Sequence, residues 1–337
     1  MEHSHELARK ASFRRYVALL VAGVALGPMA PNYYASAEAL ENAKPRQHSD
    51  TDWKRDWKDD FVGDSLSGDW KVMDNTSVEY ERFAQYRAFA VTVRGSKLVI
   101  TSRRHCVAPG EDVSLANAQE DPCPPGTSTE YSSGRVEQVI GNITGDYRVD
   151  VKARAPREKG ARVAIWMNNI EDDRGGLNGG YCIEGSETPT KELDLYEGFG
   201  DPRVRASHHA FCKDGDTAEI SRVAKFTDGW MKRAHVYSVE KVGRSVTFSA
   251  DGELLPIRGS RGQSFVDKPR DFPDVTLPEY LQADAYPQGM IFDTRVFDDP
   301  DAASRLFRPP DPTVPFAPKK LFIDWIKKYS LDGSESS

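Results

Sequence analysis

Nothing in this 337-residue chain is strongly basic: 45 lysines and arginines stand against 52 aspartates and glutamates, for a net charge of −7. That balance argues against a general nucleic-acid partner, which wants a basic face. Long apolar runs are missing too. Tyr16 to Leu26 is apolar for only 11 residues, well short of the ~20 a membrane helix needs. Cysteine is scarce, four in all, and no pair has the C-x-x-C spacing of a zinc site. Beyond residue 38 no stretch joins helical periodicity to convincing caps, and no internal repeat is visible. With capped helices absent and solenoid periods absent, a fold built of strands remains.

The N-terminus reads as a targeting segment. Lys10, Arg14 and Arg15 precede the apolar run, and Ala35-Ser36-Ala37 follows it with the small residues of a cleavage site. Residues 1–37 are therefore expected to be a signal peptide, 38–52 a polar linker, 53–330 the functional domain and 331–337 a tail. The expected location is secreted, with no membrane contact after cleavage. Export makes the four cysteines readable as disulfides. Of three connectivities, Cys106–Cys123 and Cys182–Cys212 are preferred. The first closes a local Pro/Gly/Asp-rich loop, and the second ties together the two flanks of an acidic strand.

Short alternating segments recur after Trp53. Ala90 to Val93 and Lys97 to Thr101 flank a Gly95-Ser96 turn. Tyr147 to Ala153, His235 to Glu240 and Ser245 to Ala250 follow, the last ending on Asp251-Gly252, a strong hairpin signal, while Arg162 to Met167 is mostly apolar and reads as a strand buried on both faces. Met290 to Phe292 and Leu321 to Ile326 complete the set. Residues 104–130, 170–191 and 257–285 read as loops. The fold class expected is all-β, a sandwich of antiparallel sheets.

The densest chemistry lies in Glu192-Leu193-Asp194-Leu195-Tyr196-Glu197. On a strand, successive side chains point to opposite faces, so Glu192 and Asp194 share one. Glu197 has the opposite parity, and one residue bulged out near Tyr196 would return it to their face. Two carboxylates flanking one bond are what glycoside cleavage with retention requires.

The order of motifs resembles glycoside hydrolase family 16 over roughly residues 55–330. Ser133-Gly134-Arg135-Val136 resembles its "SGR" strand, and Gly145 to Pro156 the "YGRxEVRAKxP" strand after it. Ala164-Ile165-Trp166-Met167 is similar to "AIWL". Glu192 to Glu197 fits E-x-D-x-x-E, the signature of the bulged, laminarinase-like branch. Ser207-His208-His209 stands where that branch has "TxH", and Phe226 to Leu254 and Phe322 to Ile326 resemble two later strands. The resemblance implies a jelly roll whose concave face forms a polysaccharide cleft. It implies Glu192 as nucleophile, Glu197 as general acid/base and Asp194 as their assistant. Trp166, His209 and Arg135 would bind substrate. Asp324 matches a structural calcium position, with Gly95 a candidate backbone donor, while catalysis itself would need no cofactor. The implied protein is a monomeric endo-acting retaining hydrolase of a β-linked polysaccharide, with β-1,3- or mixed-linked glucan first. A galactan substrate, transglycosylation, or a non-catalytic carbohydrate-binding sandwich are the alternatives. Two departures bear on substrate: Arg162-Val163 replaces a Trp-Pro pair, and Asp293 replaces an asparagine.

Overall fold

The computed structural model describes residues 52–74, 85–139, 143–157, 159–169, 190–211, 217–242, 245–255, 288–296 and 310–331. The expected signal peptide, Cys182, Cys212 and the expected loops at 170–191 (its last two residues excepted) and 257–285 lie outside them. The strands are β1 (Trp53–Asp59), β2 (Trp70–Val72), β3 (Gln85–Tyr86), β4 (Val91–Val93), β5 (Leu98–Val107), β6 (Ser128–Gln138), β7 (Tyr147–Arg154) and β8 (Arg162–Asn169). They continue with β9 (Thr190–Gly198), β10 (Arg203–Phe211), β11 (Thr217–Lys225), β12 (His235–Val242), β13 (Ser245–Ala250), β14 (Glu253–Leu254), β15 (Gln288–Arg295) and β16 (Lys319–Leu331). Only short 3-10 turns interrupt them among the described residues.

The result is an all-β jelly-roll sandwich. One sheet runs β11-β10-β9-β8-β15-β6, with β2 on β6. The other runs β5-β16-β7-β12-β13-β14, with β4 on β5 and β1 on β16. The two join because β5 and β6 each change partners halfway along. Leu98 to Ser102 pair with β16, whereas Arg103 to Val107 pair with the first half of β6. The pairing is antiparallel except for a two-residue bridge of β3 to β6. Alternate residues of both sheets fill the space between them: Ile100, Val136, Val149, Val151, Ile165, Met167, Leu193, Phe292, Ile323 and Ile326 are all fully buried.

Turn chemistry sets the hairpins. Gly95 and Ser96 have φ of 60° and 52°, and Asp251 and Gly252 have 51° and 81°. Paired left-handed residues are the conformation whose twist matches a two-residue hairpin. Gly134 is needed for a different reason. A Cβ there would lie 2.6 Å from Ile100 Cγ2 and 3.2 Å from Val91 Cγ2, so the bare backbone of β6 lets β4 and β5 close over it. Gly134→Ala is expected to cost about 1–3 kcal/mol through overpacking, read as a lower urea midpoint at unchanged slope.

Residues 104–130 are only partly loop, which corrects the sequence expectation. β5 continues to Val107 and β6 begins at Ser128. The polar run Arg103-Arg104-His105 reads as surface, yet Arg104 and His105 are fully buried. The ring nitrogens of His105 are met by the loop that folds over it and by β6: Nδ1 faces Ser114 O at 2.9 Å, and Nε2 faces Ser132 Oγ at 2.8 Å. Burial lowers the His105 pKa from its ordinary value, against the opposing pull of its hydrogen bonds to Ser114 and Asn117. The expected Cys106–Cys123 disulfide staples the same loop, with Cα atoms 5.2 Å apart and a sequence separation of 17. Closing a loop of that length is worth about 3 kcal/mol in the chain-entropy account. Titration of the denatured, unreduced protein is expected to find no free thiol. Four reactive thiols would overturn both the pairing and the reading of export.

β10 has almost no sequence signature beyond Ser207-His208-His209, and β11 had none. Both form because β9 offers β10 a full edge, and β10 in turn offers one to β11. Pairing with an existing edge overrides weak local preference.

Candidate active site

β9 lies inside its sheet, held by β8 on one side and β10 on the other. Both neighbours register a bulge. On β8, Ile165 faces Tyr196 but the next residue, Trp166, faces Asp194, so Leu195 is passed over. On β10, Arg205 faces Glu197 and Ser207 faces Asp194, two residues against three. The extra residue restores the parity of Glu197. Glu192, Asp194 and Glu197 stand opposite Asn168, Trp166 and Ala164, which alternate along β8 and share one face. Leu193, Leu195 and Tyr196 fill the core behind them.

Tyr196 helps to hold the bulge. Its buried ring packs 4.8 Å from that of Tyr237, and a Cβ on Gly198 would come within 2.1 Å of its hydroxyl. Glycine at 198 therefore leaves the room the bulged ring takes. Burial drives the Tyr196 pKa well above the usual phenol value, and Asp201 adds to the rise.

Three rows of register partners cross the sheet here, one acid of β9 in each. The first is His209, Glu192, Asn168 and Gly289. The second is Ser207, Asp194, Trp166, Ile291 and Glu137. The third is Arg205, Glu197, Ala164, Asp293 and Arg135. Asp194 is buried, while Glu192 and Glu197 are partly exposed. A buried acid thus stands between two accessible ones on the same face.

The supporting residues do more bracing than reaching. Trp166 is only 6% exposed. Its Nε1 donates to Asp293 Oδ2 at 2.9 Å, and the Arg135 guanidinium lies 5.0 Å from the ring centroid. Arg135 itself donates through Nε to Glu137 Oε1 at 2.6 Å. Trp166, Ala164 and Ile291 form a small apolar floor on this face. The backbone of His209 pairs with that of Glu192.

Sequence reasoning missed Arg162 as a site residue. It opens β8 on the same face as Ala164 and Trp166, and its Nη2 donates to Glu197 Oε1. Burial alone would make its proton easier to lose. The charges of Glu197, Asp293 and Asp194 together outweigh this and the opposing charge of Arg295, and its pKa stands above the ordinary arginine value. The available signal was its parity: a lone cation two residues before Ala164 on an otherwise apolar strand.

Asp324 lies on the other sheet. Its carboxylate accepts from the Lys97 ammonium, and Lys152 Nζ is 3.8 Å away. Calcium takes six to eight oxygen donors. Among the described residues no cluster of three or more His, Cys, Asp or Glu side chains is gathered to hold a metal. With two ammonium groups already on its one carboxylate, Asp324 does not fit a calcium ion.

The three acids stand on one face of an inner strand of a jelly roll, and the resemblance to glycoside hydrolase family 16 extends to the fold. The chain is similar to the endo-1,3-β-glucanase from Streptomyces sioyaensis, with TM-score 0.58 and 17% identity over 85% of this chain and 99% of that one. It is similar to the laminarinase catalytic domain from Thermotoga petrophila RKU-1, with TM-score 0.57 and 17% identity over 84% and 99%. It also resembles a structure from work on endo-acting O-glycanases of the human gut microbiota that initiate mucin breakdown, with TM-score 0.57 and 17% identity over 86% and 94%. The sequence matches no protein-family model and no curated protein.

Proposed function

We propose that this chain is a secreted retaining endo-glycosidase that hydrolyses a β-linked polysaccharide, first a β-1,3- or mixed-linked glucan, by double displacement. The observation that carries this reading is the bulge in β9, which turns Glu192, Asp194 and Glu197 to one face. Glu192 attacks the anomeric carbon while Glu197 gives its proton to the departing glycosidic oxygen. Glu197, now a carboxylate, then takes a proton from water as that water attacks the glycosyl-enzyme ester and Glu192 leaves. Asp194, between them, is placed to stabilise the proton balance as the charge on Glu192 disappears. Trp166 supplies the apolar floor and His209 hydrogen-bonds sugar. The names of the similar glucanases agree with the substrate class.

A second reading has one observation in its favour. Arg162 and Arg295 face each other directly across β8 and β15 on this side of the sheet. Two guanidiniums in adjoining positions, paired with Glu197 and Asp293, add hydrogen-bond donors that suit a galactan carrying anionic groups. The test is a screen of the purified mature protein against laminarin, lichenan, xyloglucan, agar and carrageenan. Product sizes are read by chromatography, and the first-formed anomer is read by proton NMR. Oligosaccharides from laminarin or lichenan with retained configuration are expected. Release from carrageenan alone would favour the second reading, and binding without cleavage of any of the five would favour a carbohydrate-binding protein.

A further inference from the structure

We infer that Arg162 is a positioning residue that holds Glu197 as a carboxylate in the free protein, so that loading the acid with its proton waits on this pair. The inference rests on the catalytic roles proposed above for Glu192 and Glu197.

Consider first what surrounds Glu197. On β10 the residue directly opposite is Arg205, whose two terminal nitrogens grip Asp201 at 2.8 and 2.6 Å. On β8 the residue opposite is Ala164, too short to touch a charge, and Arg162 reaches across from two positions further along to donate to Glu197 Oε1. Beyond β8, on β15, Asp293 and Arg295 pair with each other at 3.1 and 3.2 Å. On its own strand the nearest acid sharing the face is Asp194. Arg162 thus contacts Glu197 directly, while Arg205 is paired with Asp201 and Arg295 with Asp293.

The placement of Arg162 is not explained by sheet stability. It sits directly opposite Arg295, and like charges facing across strands are unfavourable. Its compensation is the contact with Glu197, one of the three acids of the bulged motif. A guanidinium against a carboxylate favours the ionised form of both, typically moving the acid by one to three pH units.

The two halves of the reaction feel this oppositely. Glycosyl transfer needs a proton on Glu197, which the pair withholds. Deglycosylation needs the carboxylate, which the pair favours. Since kcat/KM reports the free enzyme, its alkaline limb follows the loss of the proton from Glu197. Removing Arg162 should let Glu197 keep its proton to higher pH, so the limb should move upward.

The experiment compares wild type with Arg162→Met, Arg162→Gln and Arg162→Lys, each first checked for native circular dichroism. The alkaline limb of kcat/KM is expected to rise by ~1–2 pH units in the Met and Gln variants and by much less in Lys. A second readout needs no turnover: carbon-13 NMR of protein labelled at the glutamate carboxyls, with Glu197 assigned from the signal missing in Glu197→Gln. Glu197 is expected to titrate at least one pH unit lower in wild type than in Arg162→Met. Coincident titration of Glu197 in folded wild type and variants, or an unmoved alkaline limb, would overturn the inference. Absence of turnover on every polysaccharide together with a shifted titration would instead fail the proposed function and leave the assignment of Arg162 standing.

Discussion

Glu192→Gln and Glu197→Gln should each cut turnover by ~10²-fold or more while leaving the fold and polysaccharide binding nearly intact. The amide is close in shape to the acid but cannot attack an anomeric carbon or donate a carboxyl proton. Positioned acid–base groups contribute about 10²–10⁴-fold, equivalent to roughly 3–5 kcal/mol of barrier. The two losses should differ in kind. Glu197→Gln loses the acid of the first step, so a substrate whose leaving group needs no proton, such as an aryl glycoside with an acidic phenol, should recover much of that step. Glu192→Gln loses the nucleophile, and no leaving group restores it. Asp194→Asn should slow turnover less than either, because Asp194 bonds to neither substrate nor leaving group. Steady-state kinetics on the polysaccharide identified by the screen, with binding followed separately, checks all three. Wild-type-like turnover in either glutamine variant would sink the assignment.

The second large effect is on stability and lies far from the acids. Arg104→Met should cost about 3–5 kcal/mol, the range for breaking a buried charged network. Arg104 is fully buried. It donates to three backbone carbonyls: Val314 O at 2.8 Å, Asp311 O at 3.0 Å and Glu120 O at 3.3 Å. Its guanidinium also lies 5.8 Å from the Tyr131 ring and 5.7 Å from that of Phe316. One side chain on β5 thereby holds the loop before β6 and the segment that leads into β16. Methionine fills much of the volume but leaves those carbonyls without their donor, and unmet buried polar groups cost ~1–3 kcal/mol each. Urea unfolding measures the loss. A variant within about 1 kcal/mol of wild type would mean that water takes over these carbonyls and that the clamp is dispensable.

What was readable in the sequence is what local pattern controls. Period-two alternation located β7, β12 and β13, an apolar run located β8, and the glycine turns located two hairpins, because strand facing and turn conformation depend on a few adjacent residues. The acidic strand was readable for the same reason. Parity alone showed that Glu197 needs a bulge to join Glu192 and Asp194, and the register of both neighbouring strands contains one. Cys106–Cys123 followed from loop length and compartment.

The tertiary structure decided whatever depends on which strand lies beside which. Arg104 and His105 fell in a segment that reads as surface loop, yet they lie on β5, where Arg104 meets the carbonyls of Asp311 and Val314 and His105 meets Ser114 and Ser132. Asp324 looked like a metal ligand until the fold brought Lys97 and Lys152 to it. The most consequential case is Arg162. It is 35 residues from Glu197, and no spacing rule connects the two. They meet because β8 and β9 are antiparallel neighbours and the bulge resets the register by one residue. A sequence specifies the face on which a side chain stands; only the pairing of strands specifies what stands across from it.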